Sequence, residues 1–284
     1  MGRIRTTPCP PSRLSVMETK VVASAAVTVV LILTACGGSQ AGQATPVPVS
    51  VEYERTAGVL IVEADTHGGL MPPPSGKHVA ELSIFGDGLV VLAEDDGAPR
   101  VGTDRRISTG HVEGEELEEI LTFIADTGFF GLDDQYAPSP SPPDMPWRHV
   151  TVNLSGTFKT VSIYPHDYEQ APTAFLETYQ MLLGLSPADA TAFTPASGTL
   201  SATDRGPIEE LPGGRQSQVA PWDTPLVGVA LSAVTEGIRL EGEQYQVVEE
   251  YLLRYPRGQL FGSQEGVAYE VLLEADLPWV ADVP

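Results

Sequence analysis

The chain has only two cysteines in 284 residues, and both, Cys9 and Cys36, fall near its start. From Gly37 onward there is no thiol. That stretch forms no disulfide of its own, carries no cysteine nucleophile and builds no thiolate metal centre, so its stability has to come from a hydrophobic core. Basic residues are scarce as well, 16 against 38 acidic, for a net charge of −22. Residues 1–35 hold four of the basic residues and one of the acidic ones, which leaves 12 against 37, or −25, from Cys36 onward. A surface of that sign repels phosphate backbones and anionic headgroups. Nucleic acid is excluded as a partner; basic proteins, cations and neutral ligands are not. The apolar run Val21–Leu33 has thirteen residues. As a helix it reaches roughly 20 Å, short of the ~30 Å hydrocarbon core of a bilayer. Also missing are a phosphate loop, a dinucleotide-binding glycine set and a His-Glu-x-x-His pair.

What is present begins with that apolar run. Lys20 precedes it and Leu33-Thr34-Ala35-Cys36 closes it. A basic residue, a short apolar stretch and a small-residue triplet before cysteine are the parts of an export signal, and the closing tetrad resembles the lipobox of bacterial lipoproteins. The resemblance implies cleavage between Ala35 and Cys36, a diacylglyceryl thioether on Cys36 and a further fatty acyl chain, such as palmitate, on the new amine. It also implies a lipid-anchored protein on the extracytoplasmic side of the cell membrane or the outer membrane. Two or more chains make a stable anchor, since each buried CH₂ contributes about 0.8 kcal/mol. Residues 1–16 carry Arg3, Arg5, Arg13 and three prolines, unlike an ordinary leader, so translation is expected to start at Met17.

Residues 36–50 are rich in Gly, Gln, Ala and Pro and read as a tether with a reach on the order of 20–25 Å. Beyond it the expected class is α+β, an antiparallel sheet built from hairpins with three amphipathic helices packed on it. The expected organisation is an α+β domain over 51–186, a Pro/Gly-rich linker or loose wrap over 187–225 that leaves room for a short strand at Thr199–Thr203, and a small α+β unit over 226–284, either independent or packed on the first. Strands are expected at Val51–Arg55 and Val59–Ala64. Val79–Phe85 and Leu89–Glu94 flank Gly86-Asp87-Gly88, a turn that tolerates positive φ, and predict a hairpin; Arg148–Leu154 and Thr157–Tyr164 predict a second. Residues 113–126 predict a helix, with Leu117, Ile120, Leu121 and Ile124 on one stripe, acidic residues in the first turn and Gly128 just past the end. Further helices are expected over 172–183 and 241–255, and a last strand pair at Gln259–Phe261 and Val267–Glu274.

Several features of residues 51–164 fall in a recognisable order: Tyr53-Glu54-Arg55, Phe85-Gly86-Asp87-Gly88-Leu89-Val90, Glu115 to Leu121, Phe129-Phe130 and a closing strand pair. In this order the stretch resembles the emfourin type of metalloprotease inhibitor and related envelope lipoproteins. It departs from that pattern at Thr56-Ala57-Gly58, where a paired glycine is expected. The likeness covers under half the chain, bears on the fold, and carries over no inhibitory residue.

The chemistry-bearing motifs have bland readings. Asp126-Thr127-Gly128 spells an aspartic-protease triplet, but that chemistry needs two such carboxylates sharing a proton, and Asp223-Thr224-Pro225 lacks the glycine. It reads as a helix cap. Gly262-Ser263-Gln264-Glu265-Gly266 has its serine one place early for a nucleophile elbow and reads as a turn. Asp95-Asp96, Asp133-Asp134 and the Glu113–Glu119 run lack EF-hand spacing. Asn153-Leu154-Ser155 reads as turn chemistry, and Trp147, Trp222 and Trp279 as packing. His67, His78, His111, His149 and His166 show no ligand spacing, so a metal site among them has to be assembled by folding. The expectation is therefore no catalytic, cofactor-binding or metal residue, no cofactor, and lipidation at Cys36 after cleavage at Ala35. The partners expected are the membrane, through the anchor, and a protein. A non-catalytic binding or inhibitor module fits best. The alternatives are an envelope hydrolase with a site assembled from scattered Asp, Glu and His, and a structural envelope component.

Overall fold

A computed structural model describes residues 51–68, 76–98, 100–137, 144–164, 170–234, 236–255, 259–263 and 265–279. The lipobox with Ala35 and Cys36, the tether 36–50 and His166 lie outside the described residues. All the described elements belong to one compact unit, Ala41–Pro284.

The class is α+β, with four α-helices and two mixed sheets among the described residues. The first sheet contains β1 (Leu60–His67), β3 (Leu82–Phe85), β4 (Leu89–Glu94), β6 (Arg106–His111), β7 (Gln135–Tyr136), β8 (Trp147–Leu154), β9 (Thr157–Ile163) and β10 (Thr191–Ala192). Their spatial order is β10-β6-β4-β3-β1-β8-β9-β7. The hairpins β3–β4 and β8–β9 form where the turn residues predict them, and Gly88 has φ +86°.

Helices α1 (Gly114–Asp126) and α2 (Thr173–Leu183) cover one face of this sheet. Leu117, Leu121 and Ile124 on α1, with Phe175 and Leu182 on α2, are fully buried with Val62, Ala64, Val150, Val152 and Val161. The apolar stripe read from the 3.6-residue period is the face that packs. Gly128 adopts the left-handed conformation, φ +84°, that ends the helix.

The second sheet departs from the expected single sheet. It is built from β11 (Ser197–Pro207), β12 (Ala220–Pro221), β13 (Ile238–Glu241), β14 (Leu260–Gly262) and β15 (Val267–Ala275) in the order β12-β14-β15-β11-β13. Two short strands from the first half of the chain, β2 (Gly76–Lys77) and β5 (Gly102–Thr103), join it, with β5 pairing β15 at Glu274. Helices α3 (Thr224–Val227) and α4 (Gly242–Leu252) pack with it, α4 ending before the expected Tyr255.

Residues 187–225 are thus no plain linker. The strand β11 lies between β15 and β13 and pairs with both. Only Gly198, Leu200 and Ala202 of its eleven residues are buried, so its place is set by backbone pairing more than by apolar alternation. Residues 226–284 pack on the first domain, the second of the two expected arrangements. Their core is continuous with Phe85, Val91, Ala93 and Ile107 from the first sheet, alongside Leu200, Leu240, Tyr245, Val248, Leu273 and Trp279. Val51–Arg55 forms no strand, and β1 runs three residues beyond Ala64, to His67. That extension brings Asp65 and His67 into the sheet.

Candidate functional site

Along β1 side chains alternate between faces. Val62 and Ala64 enter the core under the helices, which sends Glu63, Asp65 and His67 to the opposite face. Across the ladder Glu63 lies opposite Thr151, Asp65 opposite His149 and His67 opposite Trp147. One strand further, Thr160 faces Thr151 and Ser162 faces His149. This half of the face is polar and none of these side chains belongs to the second core.

Asp65 is the centre of the group. It is 3 % exposed, an unusual setting for a carboxylate. One oxygen, Oδ1, accepts from Arg105 Nη1 at 2.7 Å, with the Glu81 backbone N–H at 3.4 Å. The other, Oδ2, accepts from His67 Nδ1 and from His78 Nε2, each at 2.8 Å. His78 reaches in from the segment after β2. Its Nδ1 donates to Asp104 Oδ2 at 2.5 Å, and Asp104 Oδ1 in turn accepts from the Val79 backbone N–H at 3.1 Å. Arg105 is also buried; it donates to the carbonyls of Val79 at 2.9 Å and Thr66 at 3.0 Å. The residues Asp104 and Arg105 follow β5, so the pairing of that short strand delivers both groups to the end of β1.

Burial alone would raise the Asp65 carboxyl. Hydrogen bonds from His78 and Arg105, and then their charges, overturn this and hold it well below the usual carboxylate range. His78 is pushed up to about 9 by its hydrogen bonds to Asp104 and Asp65, against the effect of burial. It is an imidazolium at neutral pH, donating from both nitrogens. Glu63 is raised by burial and then by the neighbouring Asp65 charge.

His149 completes the histidine group. Its ring stacks on His67, centroids 4.2 Å apart and planes 18° apart. Its Nδ1 lies 2.8 Å from Ser162 Oγ, while among the described residues its buried Nε2 has no hydrogen-bond partner. Burial, then the charge of His67, lowers its pKa. A serine beside a histidine suggests a nucleophile, but the far nitrogen needs an orienting carboxylate, and Asp65 is committed to His67 and His78.

Behind this end of β1, on the helix side, Tyr179 donates to Glu81 Oε2 at 2.7 Å and lies 3.0 Å from Thr66 Oγ1. These residues line an open groove with Arg148 and Leu183.

Elsewhere the motifs do structural work. Thr127 Oγ1 donates to the Ile124 carbonyl at the end of α1, and Asp223 caps α3 through Leu226 N–H. Asp126 and Asp223 therefore end and begin helices. Ser263 Oγ accepts from the backbone N–H groups of Glu265 and Val267 in the β14–β15 turn. Asn153 Nδ2 donates to the Leu60 carbonyl. Trp222 and Trp279 are buried, and Trp147 packs edge-on against Tyr164. Asp96 pairs with Arg100, and Asp134 with Lys159.

Folding thus gathers Asp65, His67 and His78, whose ligand atoms all lie within 4.8 Å of one another, where no such residue was expected from the sequence. One signal was available: Asp65 and His67 sit two apart in a strand and so share a face. No helix among the described residues is long and apolar enough to cross a membrane. No family model matches the chain, and neither a curated protein nor a solved structure is detectably similar to it.

Proposed function

We propose that this chain is a lipid-anchored extracytoplasmic binding protein, held in the cell membrane or the outer membrane by acyl chains on Cys36. The observation that carries the reading is the order Lys20, thirteen apolar residues, Leu33-Thr34-Ala35-Cys36 and a Gly- and Pro-rich tether ahead of a thiol-free body. The tether keeps an acidic domain clear of anionic headgroups. Binding, in preference to catalysis, is supported by the Asp65 group, whose charged atoms are engaged with one another, so that His149 beside Ser162 has no carboxylate to orient it. The alternative of an envelope hydrolase draws on the same group, since Asp65 and His67 on β1, His78 after β2 and His149 on β8 are brought together by folding.

The test is metabolic labelling with a palmitate analogue, with fractionation of the parent and of Cys36→Ser. The parent takes up label and sediments with membranes; Cys36→Ser takes up none and is released. An unlabelled parent, with the variant fractionating identically, removes the anchor.

A further inference from the structure

We propose that Asp65, His67 and His78 form a binding site for one divalent transition ion of the zinc type. This deepens the binding-protein reading and is independent of the anchor, so the two proposals fail separately.

The geometry is that of three donors around a common point. Asp65 Oδ2 lies 2.8 Å from both His67 Nδ1 and His78 Nε2, and the three atoms are mutually within 4.8 Å. Around a tetrahedral zinc ion, with bonds of about 2.0–2.2 Å, neighbouring donors stand roughly 3.3–3.5 Å apart. The two short contacts have to open by about half an ångström, and both imidazoles are half-exposed and able to turn. Two imidazole nitrogens and one carboxylate oxygen suit zinc, cobalt or nickel and disfavour calcium and magnesium, which take oxygen ligands.

The surroundings are those of a supported metal site. Ligating histidines characteristically donate their other ring N–H to a carboxylate or carbonyl, and His78 does so to Asp104, itself fixed by the Val79 backbone N–H. The oxygen of Asp65 that faces away from the histidines is held by Arg105. That leaves Oδ2 as a single, oriented donor and makes the carboxylate monodentate. His149 stacks against one face of His67. Four carboxylates, Glu63, Asp65, Glu81 and Asp104, gather around the one guanidinium of Arg105, an excess of negative charge that a bound dication offsets. With no ion bound, protons on His67 and His78 bridge to the same oxygen; the metal takes the place of those bridges.

The experiment uses the full-length, tag-free protein in detergent, stripped with EDTA. Zn²⁺ is titrated against a chromophoric chelator, and Co²⁺ is followed by its visible d–d bands. One saturable equivalent is expected. Binding in His67→Ala should be at least tenfold weaker, and in Asp104→Asn about 10–100-fold weaker, the usual cost of losing an outer-shell partner. His111→Ala, whose ring lies near Asp189 outside the group, should bind like the parent. His67 is half-exposed, so its removal leaves the fold standing, which unfolding curves of the metal-free variant verify. The proposal is overturned if the parent shows no saturable equivalent, or if His67→Ala binds zinc as tightly as the parent and the ion therefore rests on acidic surface elsewhere.

Discussion

Replacing Arg105 with methionine should be the most damaging single change at the Asp65 end of the sheet. Methionine keeps much of the apolar stem and removes the guanidinium. In the parent Arg105 Nη1 serves both Asp65 Oδ1 and the Val79 carbonyl, and Nη2 serves the Thr66 carbonyl. Without it, Oδ1 keeps only the Glu81 N–H at 3.4 Å. The side chains of Arg105 and Asp65 are 9 % and 4 % exposed, so water offers little compensation. Removing one partner of such a buried pair costs about 3–5 kcal/mol, here from leaving Oδ1 and the Val79 and Thr66 carbonyls short of a donor while Oδ2 keeps His78. At roughly 2–4 °C per kcal/mol for a domain of this size, the melting midpoint should fall by about 6–20 °C. The assay is urea and thermal unfolding in EDTA, followed by far-UV circular dichroism and tryptophan fluorescence. The double variant Asp65→Asn/Arg105→Met removes both charges and should be more stable than Arg105→Met alone. A single variant within about 1 kcal/mol of the parent, or a double variant no milder than the single, would refute the account of Asp65 as a carboxylate stabilised by a buried partner.

His78 sets a pH dependence in the metal-free protein. Its folded pKa, about 9, lies above the unfolded value near 6.5. Its contribution is therefore complete below pH 6.5 and disappears as pH rises through 9. The groups facing it are Asp65, Asp104 and His67, and the half-exposed ring limits the effect to about 1–2 kcal/mol after screening. Unfolding free energies measured between pH 6 and 10 should show this loss in the parent, and a flatter profile in His78→Gln. At the β3–β4 turn, Gly88→Ala should destabilise by at least about 1–2 kcal/mol. Gly88 has φ +86°, and an added Cβ would lie 2.3 Å from the Val112 carbonyl oxygen. Denaturation midpoints equal to the parent's would show that the turn adapts.

The local elements were legible because their signals are local. The α1 stripe, the left-handed Gly128 and the two hairpin turns declare themselves within a dozen residues, and the structure places those elements within three residues of the expected bounds. The second sheet was legible in part: the β14–β15 pair and a short strand within β11 are local signals, but the joining of β11, β2 and β5 to β15 was not, because β11 pairs with β15 some seventy residues later and β2 and β5 are two residues each. The Asp65 group was hidden for a related reason. The apolar pattern of β1 stops at Ala64, short of Asp65 and His67, and His78, Asp104 and Arg105 arrive through β2 and β5, strands of two residues each that no periodicity can reveal. The orphaned nitrogen of His149 emerges only from the strand register.

The sharing of Phe85, Val91, Ala93 and Ile107 with the core of the second sheet bears on how the molecule matures. Synthesis delivers the chain from its N-terminus. The first sheet can zip up its hairpins and dock its helices while its other side is still bare. That side is sealed only when Leu273 and Trp279 have emerged, and Gly102 gains its β15 partner at the same late moment. Fragments ending before β15 should therefore be sticky and protease-sensitive, and the protein should be released to its working form in one concerted step.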